Sequence, residues 1–153
     1  MSIFTSMNTT ASALTAQRLR MDVVSSNIAN VDTTRAKQVN GEWEPYRRKS
    51  VTLTEDNGNG HFSSLLNKAI GKKVNAGNGV KVTKINEDTK TPFKLVYNPT
   101  DPDANEDGYV EMPNVDLLTE MVDLVSSTRS YEANVTVFNA SKSMLTKALE
   151  IGK

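Results

Sequence analysis

The chain has no cysteine among its 153 residues, and it has one histidine and one tryptophan. The absence of cysteine excludes a disulfide framework, a cysteine zinc site and thiol catalysis. No stretch approaches the ~18 apolar residues of a spanning helix, so no direct membrane insertion is predicted. The N-terminal segment holds neither a basic region nor a continuous apolar core. It therefore does not match a cleavable secretory signal, which predicts a cytoplasmic protein or one exported without such a signal.

Neither sign of charge is in excess, because 18 basic residues balance 18 acidic ones. A nucleic-acid binder usually has a basic excess, so no nucleic-acid partner is predicted. The short basic cluster at 46–49 indicates a solvated strand or an inter-subunit contact. The apolar fraction of 37% predicts a thin core whose apolar surface is completed by a partner chain. A net charge near zero does not oppose such self-association.

Signals for catalysis are absent too. His61 lies alone in a loop rich in Gly and Asn, and neither a GxSxG elbow nor a phosphate-binding loop is present. The sequence therefore predicts no enzyme activity and no cofactor.

What the chain does have is a long apolar pattern at each end. The N-terminal pattern predicts a helix over 3–31, in which Thr10 and Gln17 are polar gaps. Its main row consists of residues spaced seven apart: Met7, Leu14, Met21 and Ile28.

The C-terminal pattern predicts a second helix from an Asn114 N-cap to about Leu149, with heptad spacing typical of a coiled coil. One core position holds Leu117, Leu124, Tyr131, Phe138 and Leu145. The other holds Met121, Val135 and Leu149, interrupted by Thr128 and Lys142.

Between the helices, residues 35–113 contain all five prolines and most of the glycines. Alternation predicts strands at 46–53, 80–85 and 92–97, with a helix or loop at 62–70. The predicted fold class is α+β, with the terminal helices packed as an antiparallel coiled-coil-like pair and a small β-rich middle insertion. The predicted domains are a discontinuous helical core, 1–34 with 114–153, and a β-rich outer domain, 35–113.

Residues 103–114 partly match the motif of a calcium-binding loop. Asp103, Asn105 and Asp107 occupy the first ligand positions of a calcium loop, with a glycine at the sharp turn. The twelfth position is Asn114 instead of a bidentate Glu, and no entering helix is predicted. An Asx-rich turn and a weak calcium-binding module at 103–114 both remain open.

The pattern alone favours a self-assembling helical shell over an ordinary helical hairpin on a β domain. The segment SSNIANVDTT goes further, because it resembles the N-terminal signature of the bacterial flagellar axial proteins. The residues that carry this resemblance are Asn27, Ile28, Ala29, Asn30 and Thr33. Arg35-Ala36 replaces the usual Gly-aromatic pair, and with 45–49 it is similar to proximal rod subunits of that family.

The C-terminal half also resembles these rod subunits, at 108–116, 120–123, 129–135 and 147–153. Within these stretches Tyr131, Glu132 and Asn134 belong to the motif. The resemblance implies a structural subunit of the proximal rod, self-assembling in a helical tube that transmits torque and encloses the export channel. Implied partners are copies of itself, other rod subunits, the rod-base adaptor and the flagellar type III export apparatus. A secreted coiled-coil interaction protein is the alternative.

In this interpretation SSNIANVDTT is the corner at which the chain leaves the helical layer. Asn27 and Asn30 would then satisfy backbone groups at the helix end, while Ile28 and Ala29 stay in the packed seam.

Overall fold

The computed structural model describes residues 3–39, 41–56, 66, 69–70 and 79–151. Two long helices enclose the described strands in the chain, so the predicted α+β fold class is confirmed. The elements are α1 (Ile3–Ala29), β1 (Lys37–Val39), β2 (Glu42–Glu44), β3 (Lys49–Glu55), β4 (Val80–Glu87), β5 (Lys94–Tyr97), β6 (Tyr109–Met112) and α2 (Leu117–Ile151). Most of the predicted helix or loop at 62–70 lies outside the described residues. Within these ranges, no helix is both long and apolar enough to cross a membrane.

The strands within the described ranges form three two-stranded pairs. β1 pairs with β2, and β5 pairs with β6, both antiparallel. β3 pairs with β4, and backbone bonds from Asp88 to Arg48 and from Asp56 to Gly79 lie at its two ends. The predicted strands correspond to β3, β4 and β5, whereas β1, β2 and β6 were not predicted. Those three contain only three or four residues each, too few to show an alternating pattern.

By internal packing the chain divides into two compact units. Unit 1 contains Met1–Leu19, Thr52–Lys84 and Ser127–Lys153, and unit 2 contains Arg20–Val51 and Ile85–Ser126. Each unit therefore combines parts of both helices with part of the β3–β4 pair. The division of the chain into helical core and β-rich outer domain stays a prediction.

Among the residues that the structure describes, few large apolar side chains are buried in either unit. Unit 2 buries Val23, Val24, Tyr46, Val110 and Val115. Among the buried residues of unit 1 are Ala16 and three small polar residues, Thr10, Ser127 and Ser141. This agrees with the thin core that the composition predicts.

Within unit 2 the two helices run antiparallel, as predicted. Arg20 Nη2 lies 3.2 Å from Asp123 Oδ1, and Asn27 Nδ2 lies 2.9 Å from Glu120 Oε2. The residue later in α1, Asn27, thus contacts the residue earlier in α2, Glu120, as antiparallel helices require.

The inward-facing row of α2 corrects the predicted second core position. Met121 and Leu149 are exposed, and Val135 is half-buried. In the row one residue earlier, Glu120, Ser127 and Ser141 are buried, and Asn134 is half-buried. Asn134 Nδ2 and Ser141 Oγ donate to carbonyls of their own helix, so both polar groups are hydrogen-bonded on this face.

The start of α2 differs from the prediction as well. The helix begins at Leu117, and Asp116 is its N-cap residue, because Asp116 O accepts the first backbone bond of the helix from Glu120 N at 3.0 Å. The Asp116 side chain also accepts from Thr119 Oγ1 at 2.7 Å. The Asn114 side chain is buried and bonds elsewhere, as described below.

Candidate functional site

Four polar residues meet where the end of α1, the start of β3 and the start of α2 come together in unit 2. We call this cluster the polar joint; it consists of Asn27, Arg48, Asn114 and Glu120. Asn27 is fully buried. Its Nδ2 donates to Lys49 O at 2.8 Å and to Glu120 Oε2 at 2.9 Å. Its Oδ1 accepts from Tyr46 Oη at 3.0 Å and from Lys49 N at 2.9 Å, so the whole amide is satisfied.

Glu120 is a fully buried carboxylate on α2. Arg48 Nε donates to its Oε1 at 2.5 Å, while Asn27 occupies its other oxygen. Asp123 lies 3.7 Å from Arg48 Nη2 and also pairs with Arg20. A buried carboxylate is tolerated only with such a partner, because the desolvation of an unpaired charge is costly.

Asn114 completes the polar joint from the segment before α2. Its Oδ1 accepts from Arg48 N at 2.8 Å, and its Nδ2 donates to Asp88 O and Thr91 O. One buried side chain therefore connects three backbone segments, and the arrangement fixes the position at which α2 starts.

The corner after α1 is built differently from the hypothesis. Asn30 Nδ2 donates to Ser26 O at 2.8 Å, which satisfies a helix-end carbonyl as proposed. Thr33 Oγ1 donates to Asn30 Oδ1 at 3.2 Å. Asn27, however, bonds β3 and α2 instead of the helix end, and Ala29 is exposed while Ile28 is half-buried.

The rest of the predicted assembly residues lie at or near the surface of the single chain. On α1 the half-buried ones are Met7, Leu14 and Met21. On α2 the half-buried ones are Leu124, Tyr131, Phe138 and Leu145, whereas Leu117 and Glu132 are exposed. Their role between subunits stays a prediction.

An apolar stripe lies on the first turns of α2, away from the polar joint. We call it the outer stripe; it consists of Leu118, Met121, Val122 and Val125. These side chains are 74%, 51%, 69% and 61% exposed. The spacing i, i+3, i+4, i+7 places them on one helix face, which is the usual arrangement of a helix that packs on a partner.

In the candidate calcium loop, the first potential ligand, Asp103, forms an ion pair with Arg35 of the same chain. Asp103 Oδ1 accepts from Arg35, and Asp103 Oδ2 accepts from Thr34 Oγ1 at 2.7 Å. These contacts, first the Arg35 hydrogen bond, hold the pKa of Asp103 below its ordinary value. Asn105 and Asp107 are exposed, and the described residues contain no cluster of three potential metal-ligating side chains of the His, Cys, Asp and Glu types. The geometry favours the Asx-rich turn.

Two members of the polar joint were not predicted as site residues. Arg48 was assigned to the basic cluster at 46–49, a solvated strand or an inter-subunit contact, and Glu120 was noted only within the stretch 120–123 that resembles rod subunits. The spacing of Glu120, Ser127, Asn134 and Ser141 was a usable signal for the inward row of α2.

Comparison with known proteins decides the family. The model of the family "Flagella basal body rod protein" matches residues 7–37, and that of "Flagellar basal body rod FlgEFG protein C-terminal" matches residues 106–151. The flagellar basal-body rod protein FlgC of Bacillus subtilis is 70% identical over 153 residues, covering all of both chains. The chain belongs to the FlgC family.

More distant FlgC proteins extend over nearly the same length. That of Borreliella burgdorferi is 44% identical over 99% of this chain and 98% of its own. That of Salmonella typhimurium is 41% identical over 93% of this chain and 92% of its own. The predicted resemblance is confirmed, and the chain is a structural rod subunit of the flagellar basal body, an apparatus of motility.

Proposed function

We propose that this chain is a proximal rod subunit whose paired helices form the inner layer of a helical tube. Residues 1–34 and 114–153 would line that layer, and residues 35–113 would cover it. The tube transmits torque and encloses the export channel, and the chain acts by packing, without catalysis.

The observation that carries the proposal is that the first turns of α2 bury a charged side chain and expose apolar ones. There the buried position is the carboxylate of Glu120, and the outer stripe is exposed. A soluble helix normally buries its apolar face. Large exposed apolar patches mark interaction sites, so the exposed stripe supports packing against another subunit.

The proposed partners are copies of the chain, other rod subunits, the rod-base adaptor and the flagellar type III export apparatus. The proposed location is the basal body within the cell envelope, reached from the cytoplasm without cleavage of a signal peptide. The absence of cysteine supports this route, because a disulfide would obstruct passage of an unfolded chain through a narrow channel.

The first experiment is deletion of the gene, scored by motility and by electron microscopy of isolated basal bodies. We expect loss of rod and hook, restored by the full chain and not by a chain lacking residues 2–34. Intact flagella after deletion would contradict the proposed role.

The outer stripe gives a sharper test. Val122→Asp places a charge on an exposed position, so the monomer should fold normally while rod assembly fails, because an unpaired charge in a packed interface is costly. Val122→Ile is the matched control and should restore motility. Normal rods with Val122→Asp would show that the outer stripe is not an assembly surface.

A further inference from the structure

Unit 2 contains a cleft of about 730 Å³ that its fold does not fill. We call it the basic cleft, because its lining includes four basic side chains: Arg35, Lys37, Arg47 and Lys49. Two carboxylates, Glu44 and Glu87, also line it. A volume of this size admits several side chains of a partner.

The cationic groups of the basic cleft are only partly neutralised within the chain. Arg47 lies 3.8 Å from Glu44, and its guanidinium carbon sits 4.3 Å from the centre of the Phe93 ring. Lys37 and Lys49 have no carboxylate within ion-pair distance among the residues that the structure describes. The Lys49 ammonium lies 5.4 Å from the Tyr46 ring centre, so an aromatic face holds it at the cleft.

The complementary charge lies beside the cleft in the same unit, where Asp103 pairs with the cleft residue Arg35. Residues 95–126 contain eight acidic residues and no lysine, arginine or histidine. Arg35, Arg48 and Arg20 neutralise Asp103, Glu120 and Asp123. Glu106 and Asp107 are exposed, and within the described ranges neither forms an ion pair.

These two carboxylates stand at the tip of a turn that is closed at both ends. Asn105 N donates to Tyr109 O, and Gly108 N donates to Asn105 O, each at 2.8 Å. The Arg35–Asp103 pair fixes the base of the turn. We call residues 101–107 the acidic turn; it presents its tip carboxylates outward in a defined conformation.

We propose that the basic cleft of one copy receives the acidic turn of a second copy, with Lys37, Lys49 and Arg47 facing Glu106 and Asp107. The inference deepens the proposed function, on which it rests, by assigning one contact between copies. The two surfaces differ, so the contact is head-to-tail. Such contacts generate open helical assemblies when the rotation does not close, as a rod requires.

The contact predicts a strong dependence on salt. Exposed ion pairs are weak individually, and their attraction is screened over a Debye length of about 10 Å at 0.1 M salt and about 3 Å at 1 M. The contact therefore positions a neighbour within the assembly and does not produce a tight dimer in dilute solution.

Carbodiimide cross-linking tests the proposal, because the reagent joins a carboxylate to a lysine amine where the two are in contact. The full-length chain is mixed in equal amounts with its ¹⁵N-labelled form at low salt, and linked peptides are identified by mass spectrometry. We expect mixed-isotope links from Lys37 or Lys49 to Glu106 or Asp107. Their yield should fall roughly fivefold in high salt, as screening requires.

The matched variants leave the lysine amines and the carboxylates that form the cross-link unchanged. Arg47→Glu reverses one charge of the basic cleft and should lower the mixed-isotope yield roughly fivefold by like-charge repulsion. Arg18→Glu reverses an exposed charge on α1, outside the cleft, and should leave the yield unchanged.

Links confined to single-isotope peptides would place the acidic turn in the cleft of its own chain and overturn the proposal. So would the absence of links, or a yield indifferent to Arg47→Glu and salt. Incorporation of the wild-type chain into basal bodies is scored separately. If it enters rods without forming these links, the inference fails and the proposed function stands; if it enters no rods, the proposed function fails.

Discussion

Arg47 and Arg48 are adjacent in the chain and have opposite surroundings. Arg48 pairs with the buried Glu120, whereas Arg47 faces the basic cleft. We expect Arg48→Gln to lower the free energy of unfolding by about 2 kcal/mol, because it leaves a buried carboxylate without its charged partner. The measurement is urea unfolding followed by fluorescence of Trp43, the one tryptophan, which lies in unit 2.

Arg47→Gln is the control for this substitution. It removes a surface interaction and should cost less than about 1 kcal/mol. Equal effects of the two changes would mean that the Glu120 pair does not stabilise unit 2.

Acid should weaken the Arg35–Asp103 contact. The pKa of Asp103 is held below its ordinary value of 3.8, chiefly by the Arg35 hydrogen bond and then by Thr34. A carboxylate with a lowered folded pKa contributes stability that is complete above its unfolded pKa and is lost as pH falls through the folded one. The urea midpoint should therefore fall with acidification below about pH 4.

Asp103→Asn should make the midpoint less sensitive to pH in this window, while Glu106→Gln, at an exposed carboxylate without an ion pair in the described structure, serves as control. An unchanged acid response in Asp103→Asn would contradict the assignment.

At the scale of elements, two turn glycines allow the cost of a left-handed backbone conformation to be distinguished from the cost of a steric clash. Gly41 and Gly108 both have positive φ, 95° and 79°. A side chain at Gly41 meets nothing within 4 Å, whereas at Gly108 it would lie 3.0 Å from Tyr97 Cε2 and 3.2 Å from Pro99 Cβ. Gly41→Ala should cost about 1 kcal/mol for the left-handed conformation alone.

Gly108→Ala should cost roughly 1 kcal/mol more than that, because the β5–β6 turn must shift as well. Thermal unfolding of the two variants measures the difference. A smaller loss in Gly108→Ala than in Gly41→Ala would show that the contacts with Tyr97 and Pro99 relax without cost.

The helices show how far apolar periodicity predicts packing. It located both helices to within about three residues and identified the half-buried row that contains Leu124 and Phe138. It placed the second row of α2 one residue too late, because it counted polar side chains as outward-facing. Glu120 faces inward since Arg48 and Asn27, both distant in sequence, satisfy it.

At the scale of the whole molecule, the thin cores predict incomplete folding before assembly. α1 and α2 contain 27 and 35 residues, and their halves in unit 1 bury few apolar side chains. Helices without sufficient tertiary packing are marginal in water. Circular dichroism of the dilute monomer should therefore show less helix than these lengths require.

Hydrogen exchange shows where the helix is missing. We expect low protection of the amides in 3–19 and 127–151, and high protection at the polar joint. Full helicity of the dilute monomer, with protection along both helices, would contradict folding coupled to assembly.

The sequence by itself determined the two terminal helices, the β-rich middle and the family, because these depend on local periodicity and on motifs contiguous in the chain. It also indicated that Asn27 is special, since two asparagines three residues apart exceed what a helix end needs. Only the tertiary structure decided that Asn27, Arg48, Asn114 and Glu120 form one site. The hydrogen bonds among these four residues join positions 66 to 93 apart in the chain, and no local pattern specifies such a pairing.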